Sequence, residues 1–495
     1  MLLGFGVFPK HGTALELAEA ISYSLANRPE VQTARLGVAA ARERVGQAYA
    51  GFLPTINLRV AAGREGTRNT AARPSNTDYL WMDRQDRSIS LNQNVFDGLR
   101  TSHQVTSTEA GARRSAWKTL EAAESLAMRG VESYLTVLKY RAQFRQSEKS
   151  LATHNRLLRL AEQRFEASVG SLLEVSQARS RGKRAEAAMT QARGNQQRAE
   201  ALFYSVFGME AQGLTEPLPM STPVAPYEVL LATALATHPA ILAAQEGVME
   251  EKAREQSHRG AYSPSANLVL TASDGKDQGG VAGEQAVQSA MLEVTVNLFS
   301  GYRDTHTQRE AHFVTQQAEN ALAKSRLDVT EQLANAYRLW ETVHALLQTY
   351  KAQAAEAQTV QEAYLEQYQL GKRTLLDLLD SESELSAARN NLMDAHYQSG
   401  IENYRLAFSQ GKLLAQLQLA LPDMATPQPP QFPLPDMATP PMPMPTENET
   451  PPWEPLRVTE SERPLWKPLR VVEWMDERPL SVQAYVADPK DDPSP

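Results

Sequence analysis

Apolar residues recur at every seventh position through much of the first half of the chain. The series consists of Val137, Phe144, Leu151, Leu158 and Phe165. Heptad spacing of this kind predicts long helices that pack as coiled coils. Proline is absent from 99–167 and from 302–370, so each stretch can form one continuous helix. At 1.5 Å per residue, such a helix is on the order of 100 Å long.

In the segment that precedes each of these stretches, apolar residues recur at every second position instead of every seventh. Ile56, Leu58 and Val60 alternate with polar residues in the first half of the chain, and the second half shows the same alternation. Its members are Leu292, Val294, Val296 and Leu298. Period-two spacing predicts strands with one apolar face. We therefore expect two β-hairpins, whose polar tips lie at about 63–87 and 274–288.

The two halves of the chain repeat the same plan. The segment LANRP at 25–29 recurs 210 positions later as LATHP at 235–239. The segment FDGLR at 96–100 recurs 203 positions later as FSGYR at 299–303. The difference of seven residues between the two offsets is confined to the hairpins, where a surface loop tolerates a change of length. The chain is therefore an internal duplication.

This duplication predicts the domain organisation. The first repeat spans 13–208 and contains a helix, a hairpin at 55–96, a long helix at 99–167 and a return helix at 171–208. The second repeat spans 229–411, with its hairpin at 265–299, long helix at 302–370 and return helix at 374–410. The remaining segments are a remnant or atypical signal segment at 1–12, a linker at 209–228, and an end with a Pro-rich disordered tail at 412–495.

Composition and charge exclude several classes of function. A net charge of −8 argues against nucleic acid as a partner. The absence of cysteine rules out disulfides, thiolate metal sites, a cysteine nucleophile and a lipidated cysteine. The histidines show no metal-ligand spacing, and neither a phosphate-binding loop nor a nucleophile motif is present, so we expect no enzyme activity, metal or cofactor. The sequence contains no run of about 18 apolar residues, so it predicts no transmembrane helix.

One segment resembles a known family. Residues 367–380 read QYQLGKRTLLDLLD and are followed by Glu384-Leu385. Together with the duplicated plan, this segment resembles the TolC-like outer membrane factor family, also called outer membrane efflux proteins, and in particular its type I secretion branch. The resemblance covers about 13–420. It implies a mainly α fold with a small β part, in which three chains form an α-helical barrel capped by a 12-stranded transmembrane β-barrel, with four strands per chain.

The resemblance also implies a location and partners. A homotrimer would sit in outer-membrane lipid of a Gram-negative bacterium, with a large periplasmic part. The segment 209–228 and the residues after 411 would form an equatorial belt. A periplasmic membrane-fusion adaptor would dock at the turns between the long and return helices and connect the duct to an inner-membrane ABC or proton-driven transporter. The expected docking residues are Ser168, Gly170, Leu172, Gly371, Lys372, Thr374 and Leu375.

By the same resemblance, Tyr368 and Arg373 match residues that hold the periplasmic end of the duct closed, and Glu174 matches their acidic partner. Asp377 and Asp380 lie three positions apart and so share a helix face. Under threefold symmetry each would form a ring of carboxylates that favours cations at the pore entrance. The plainer alternative is that Arg373 caps helix carbonyls and the two aspartates form a solvated face.

The first repeat departs from the family pattern at one turn, where Ser168 occupies the position equivalent to Gly371 and Gly170 follows two residues later.

For function, the favoured interpretation is an exit duct that passively conducts polypeptides in type I secretion. A multidrug or solvent efflux duct is the alternative within the same class. A cytoplasmic coiled-coil scaffold is the alternative from a different class.

Overall fold

A computed structural model describes residues 15–68, 79–217 and 225–419. Four of the regions named above therefore lie wholly or partly outside the described residues. They are the N-terminal segment 1–12, the tip of the first hairpin at 69–78, the part of the linker at 218–224, and the Pro-rich tail from residue 420 onward.

Each half of the chain contains two helices, a hairpin, a long helix and a return helix. In the first half these are α1 (Leu17–Asn27), α2 (Pro29–Tyr49), β1 (Thr55–Thr67), β2 (Leu80–Phe96), α3 (Arg100–Glu166) and α4 (Leu172–Phe207). In the second half they are α5 (Tyr227–Thr237), α6 (Pro239–Arg259), β3 (Ser265–Lys276), β4 (Glu284–Thr295), α7 (Arg303–Gln369) and α8 (Leu375–Phe408), and the short α9 (Leu413–Gln416) follows.

The structure has two helices before each hairpin where the sequence predicted one. The break falls at Arg28 and at His238, both in an extended conformation before a proline at the first helical position. A residue before proline is disfavoured in the α region, and proline itself suits the first turn of a helix. Each X-Pro pair therefore ends one helix and starts the next.

The four strands form one antiparallel sheet in the order β1-β2-β3-β4. Its register places most of the apolar residues on one side, as in the rows that contain Leu58 with Ile89 and Leu268 with Leu292. Serine, threonine and asparagine predominate on the other side, where Val269, Val287 and Met291 also lie. The predicted strands are confirmed with one correction: β4 ends at Thr295, so Val296 and Leu298 of the predicted alternation follow the strand rather than belonging to it. The mainly apolar side is open to solvent in the single chain, where Leu58 is 74% exposed.

The strands run further than the predicted hairpin tips allowed. Residues 64–67 and 80–87 are paired strand residues rather than loop. Charged side chains support this pairing, because Arg84 Nη1 lies 2.9 Å from Glu65 Oε2 and Arg84 Nη2 lies 2.7 Å from Asp86 Oδ2. Ion pairs across and along the strands replace the apolar alternation here, so the alternation pattern ends before the strands do.

The junction between the sheet and the long helix has the same backbone conformation in both repeats. Gly98 and Leu99 have φ of 71° and 64°, and Gly301 and Tyr302 have φ of 65° and 61°. Two consecutive left-handed residues turn the chain from strand into helix. The repeated Phe-x-Gly-x-Arg segment is the sequence of this junction, and its glycine avoids the cost of about 1 kcal/mol or more that an L-residue such as Leu99 or Tyr302 pays in this conformation.

The long helices organise the packing. The helix α3 packs against α4, α6, α2 and α8, and α7 packs against α8, α6 and α5. The largest apolar core joins α1, α3, α4, α8 and α9, with Tyr134, Phe203 and Phe207 at its centre. The hydroxyl of Tyr134 lies 2.7 Å from the carbonyl oxygens of both Leu15 and Thr215. It therefore ties the start of α1 to the segment after α4.

The predicted heptad stripe on α3 is buried unevenly in one chain. Val137 is fully buried, Phe144, Leu151 and Leu158 are half-buried, and Phe165 is 44% exposed. The side chains of the stripe are therefore more exposed toward the turn after α3. Coiled-coil positions that are open in one chain are suited to packing against another.

One stretch, Tyr227–Tyr262, is long and apolar enough to cross a membrane by length and composition. It consists of two helices broken at His238, and its Leu230, Ala234 and Ile241 are buried in a core that includes residues of α7. The core helix of a soluble protein can have the same length and apolar composition, so this stretch is weak evidence for a membrane span.

A buried carboxylate holds the last described helix. Glu124 on α3 is 2% exposed, and its two oxygens accept the backbone N–H groups of Leu413 and Leu414 at 2.9 and 3.2 Å. Both leucines are fully buried. Burial raises the pKa of Glu124 from 4.5 to about 7, although the two N–H donors act in the opposite direction. The ionised side chain is therefore costly despite its hydrogen bonds.

Replacing Glu124 with glutamine should remove a pH-dependent loss of stability. Because the folded pKa lies above the unfolded value, the folded protein holds a proton that the unfolded chain has lost, and stability falls as pH rises from about 4.5 to about 7. The full difference is about 3 kcal/mol. Glutamine keeps an acceptor oxygen but does not ionise. Thermal unfolding in detergent between pH 5 and 8 should show a flatter pH dependence for Glu124→Gln than for the parent.

The control is Glu148→Gln, which changes an exposed glutamate on the same helix. Its thermal midpoints should run parallel to those of the parent across the pH range. Parallel curves for Glu124→Gln as well would show that Glu124 titrates at its ordinary pKa and that its burial carries no electrostatic cost.

Candidate functional site

The two turns between long and return helices have the same backbone geometry. At the end of α3, Val169 N–H donates to Arg164 O at 2.9 Å and Ser168 has φ of 60°. At the end of α7, Lys372 N–H donates to Gln367 O at 2.8 Å and Gly371 has φ of 73°. Both are Schellman motifs. Ser168 therefore takes the left-handed conformation of Gly371, and the sequence departure does not change the turn.

Each return helix then begins with a capping box. Ser171 Oγ accepts from Glu174 N–H at 3.2 Å, and Glu174 Oε2 accepts from Ser171 N–H at 3.2 Å. Thr374 and Asp377 make the same two bonds at 3.2 Å, and Thr374 Oγ1 also donates to Asp377 Oδ2 at 2.8 Å. Two of the acids expected at the gate and pore entrance thus cap helices. Ser/Thr-x-x-acid is the sequence signal for this role.

The hydrogen bonds in the cap also determine the charge of Asp377. The side chain and backbone of Thr374 lower the pKa of Asp377, with a smaller contribution from Arg373. Asp377 is therefore ionised at neutral pH. One of its oxygens is engaged by Thr374, and the other has no hydrogen bond within the described residues.

Tyr368 is buried beneath these turns. It lies in an apolar cluster with Val175, Leu375, Leu378 and Leu379 from the two return helices. The guanidinium of Arg164 lies 5.2 Å from the centre of its ring. Within the described part of the chain, the Tyr368 hydroxyl has no hydrogen-bond partner. Burial raises the pKa of Tyr368, so the hydroxyl stays protonated and keeps its donor.

The side chain of Arg373 folds back on the end of α7, the helix that precedes its own turn. Its Nε–H donates to Gln367 Oε1 at 3.0 Å, and its guanidinium lies 4.4 Å from the centre of the Tyr364 ring. It binds the side chain of Gln367 rather than the helix carbonyls considered as the plainer alternative. Within the described residues, the structure does not bring Arg373, Tyr368 and Glu174 together in one hydrogen-bonded group.

Asp380 faces a different direction from Asp377. Its Oδ1 accepts from Arg181 Nη2 at 2.6 Å, which joins α8 of the second repeat to α4 of the first. Asp380 remains half exposed and Arg181 is about one quarter exposed. The sequence pattern does not indicate Arg181, because a contact between the repeats depends on how α4 and α8 pack.

The predicted docking residues divide into an exposed group and a buried one. Leu172, Lys372 and Thr374 are exposed, and both turn residues Ser168 and Gly371 are as well. Leu375 is fully buried in the apolar cluster beneath the turns, so it supports the surface from below rather than forming part of it.

Gly170 lies close to α3, where a Cβ would come within 3.1 Å of the Arg164 carbonyl carbon. Three large apolar side chains that the sequence pattern did not indicate as functional are exposed beside the turns. They are Val169, Leu173 and Leu370, which are 64%, 66% and 69% exposed. Together with Leu172, also 64% exposed, these apolar side chains of the two turns are what we call the tip surface.

Comparisons with known proteins agree with this architecture. The outer membrane efflux protein family matches 20–209 and 230–412, one match in each repeat. The chain is 27% identical over 412 residues to the outer membrane efflux protein BepC of Brucella suis, covering 82% of this chain and 87% of BepC. It is 24% identical over 438 residues to the alkaline protease secretion protein AprF of Pseudomonas aeruginosa, covering 84% and 89%.

A solved structure is similar in fold. The outer membrane protein VceC of Vibrio cholerae superimposes with a TM-score of 0.69 at 17% identity, covering 80% of this chain and 96% of VceC. At this level of identity the likeness concerns the fold. The two matched ranges cover the duplicated plan of helices, hairpins and return helices.

Proposed function

Because the chain belongs to the outer membrane efflux protein family, it is an outer-membrane channel of a tripartite export system and not an enzyme, and we propose that it is the exit duct for type I secretion of polypeptides. Members of this family are trimeric and work with an adaptor and an inner-membrane transporter. The likeness to AprF, which is named for the secretion of alkaline protease, supports a polypeptide substrate.

The tip surface is the observation that supports docking of an adaptor protein. It consists of Val169, Leu172, Leu173 and Leu370. A cluster of large apolar side chains that are each about two thirds exposed is typical of an interaction site. Schellman motifs and capping boxes fix the backbone on both sides of it, so the surface is presented in a rigid form. We propose that a membrane-fusion adaptor covers it and that an ABC transporter supplies the energy.

We further propose that Tyr368, Arg373 and Glu174 hold the periplasmic entrance closed. The support is the chemistry of the two turns. Tyr368 keeps a protonated hydroxyl without a partner in the described residues, and Arg373 uses one N–H of its planar fork on Gln367. Arg373 therefore retains N–H donors for acceptors on a neighbouring chain, whereas the Tyr368 hydroxyl is buried inside its own chain and reaches another acceptor only when the turns rearrange. Asp377 and Asp380 would line the same entrance as rings of carboxylates.

A single cysteine at the tip surface tests docking, because the chain has no native cysteine. Leu172→Cys in cells, treated with a short bifunctional crosslinker, should form an adduct with the adaptor of an ABC transporter. Leu327→Cys is the control, since Leu327 is 71% exposed on α7 and lies outside the turns. An adaptor adduct of equal yield at Leu327 would contradict docking at the tip surface.

The second candidate function is multidrug or solvent efflux, and the likeness to BepC, which is named an outer membrane efflux protein, favours efflux in general. The same crosslinking experiment separates the two, because the captured adaptor is identified by mass spectrometry. Type I secretion predicts an adaptor of an ABC transporter and loss of a secreted polypeptide when the chain is removed. An adaptor of a proton-driven pump, with drug sensitivity and normal polypeptide secretion, would instead identify an efflux duct.

A further inference from the structure

An ion pair joins the two repeats near the turns. Arg181 Nη2 donates to Asp380 Oδ1 at 2.6 Å. Arg181 lies on the return helix α4 of the first repeat, and Asp380 lies on the return helix α8 of the second. A contact between these helices holds the two halves of the duplication together at the same end of the molecule as Tyr368 and Asp377.

The repeats have opposite charges at equivalent positions along these helices. At the offset of 203 residues, Arg179 corresponds to Glu382 and Arg181 corresponds to Glu384. A duplicated pair of helices with like charges would repel where the helices lie side by side. The inversion gives α4 a basic side and α8 an acidic side, and electrostatic complementarity of this kind fixes register.

Arg179 and Arg181 make different connections although they are two residues apart. Arg179 Nη2 donates to Glu162 Oε1 at 3.3 Å, a contact within the first repeat between α4 and α3. Arg181 alone of the two reaches the second repeat. Arg179 therefore offers a control with the same charge, on the same helix, and with a carboxylate partner that belongs to its own repeat.

The surroundings of Arg181 leave Asp380 as its acidic partner. His154 of α3 lies near Arg181 and is 5% exposed. Burial, and to a lesser extent the nearby Arg181, lower the pKa of His154. The imidazole is therefore neutral near neutral pH and adds no second positive charge beside the pair.

We propose that Arg181 is a positioning residue for conduction, which fastens α4 to α8 and neutralises Asp380 at the pore entrance. This inference rests on the proposed placement of Asp377 and Asp380 around that entrance. Its consequence is that the two acidic rings are unequal. Asp377 contributes a full negative charge, whereas the charge of Asp380 is balanced within its own chain as long as the return helices stay together.

Two substitutions separate the fastening from the neutralising effect. Both Arg181→Gln and Asp380→Asn break the ion pair, so both should raise single-channel conductance and open probability in planar bilayers. Arg181→Gln leaves Asp380 unpaired and should increase cation selectivity, whereas Asp380→Asn should not. Losing one partly exposed pair changes an equilibrium by about two- to fivefold. Three pairs lost together in a trimer would change it by about tenfold or more.

The pair with its charges reversed, Arg181→Asp with Asp380→Arg, should return open probability to the level of the parent. Arg179→Gln should conduct like the parent and show an unchanged reversal potential in a potassium chloride gradient. Trimer formation is checked first by size-exclusion chromatography in detergent. If a variant with a single substitution does not assemble, the charge-reversed double variant still decides the question.

Two outcomes would overturn the proposal. The first is an assembled Arg181→Gln channel with the open probability and reversal potential of the parent. The second is a change in Arg179→Gln as large as that in Arg181→Gln. Failure of the parent chain to assemble or to conduct at all is a different result, because it would reject the channel assignment rather than the role of Arg181.

Discussion

Replacing Gly98 with alanine is expected to cost several times more stability than the same replacement at Gly301. The two glycines are equivalent in the duplication and have φ of 71° and 65°, so the strain of a left-handed alanine is about the same at both, roughly 1 kcal/mol. Their surroundings differ. A Cβ on Gly98 would lie 2.5 Å from Ser263 Cβ and 2.8 Å from Gly260 O, whereas Gly301 has open space within 4 Å.

The contacts with Ser263 Cβ and Gly260 O decide the size of the effect. Rotation of the Ser263 side chain moves its Oγ but not its Cβ, so both the Ser263 Cβ and the Gly260 carbonyl can move only with the chain that links α6 to β3. Overpacking of this kind adds about 1–3 kcal/mol to the strain. We expect Gly98→Ala to lose about 2–4 kcal/mol and Gly301→Ala about 1 kcal/mol.

The measurement is the thermal midpoint of the assembled protein in detergent, together with the fraction of chain recovered in the outer membrane. Since both variants carry the same new methyl group at the same kind of junction, Gly301→Ala is a matched control. Equal losses would mean that left-handed strain alone matters and that the close approach of Gly98 to Gly260 relaxes at little cost.

The second large effect is expected in conduction. The double variant Tyr368→Phe with Arg373→Ser should raise passive ion conductance in planar bilayers. Within one chain, Tyr368→Phe removes a buried hydroxyl that has no hydrogen bond in the described residues, so it should not destabilise the subunit. Because that hydroxyl is buried inside its own chain, any opening that the substitution causes then reports a bond formed only after the turns rearrange in the assembled trimer.

The size of this effect follows from symmetry. A charge-assisted hydrogen bond contributes about 1.5 kcal/mol or more, and a trimer loses three of each kind at once. The closed state should therefore be disfavoured by about a thousandfold or more. The matched control is Tyr350→Phe with Lys351→Ser, which removes a hydroxyl and a cation from α7 away from its turn. A gate variant that conducts no better than this control would show that the entrance is held closed by other residues.

The sequence predicted the parts of the fold that local patterns encode. Absence of proline, heptad spacing and the glycine at 371 gave long helices whose ends lie within one or two residues of α3 and α7. The capping boxes at 171–174 and 374–377 were present in the sequence as Ser/Thr-x-x-acid, and they explain Glu174 and Asp377 without reference to function. A local pattern can be read at these places because the partners lie three residues apart.

Other features could not be predicted because they depend on packing between distant segments. The extension of β1 and β2 relies on Arg84 meeting Glu65 across the hairpin. The partner of Asp380 is Arg181, 199 positions earlier in the chain. The binding of Arg373 to Gln367 and Tyr364 depends on how the turn folds back on α7. Each case joins residues whose separation carries no periodic signal.

The free edges of the four-stranded sheet impose an order on biogenesis. Among the described strands, β1 pairs only with β2 and β4 only with β3. Lipid offers nothing to the unpaired backbone groups along those outer edges, each of which costs several kcal/mol in hydrocarbon. A solitary subunit therefore has no stable inserted state, and subunits must meet before or while they enter the bilayer. Delivery to the membrane should then depend steeply on the local concentration of newly exported chains.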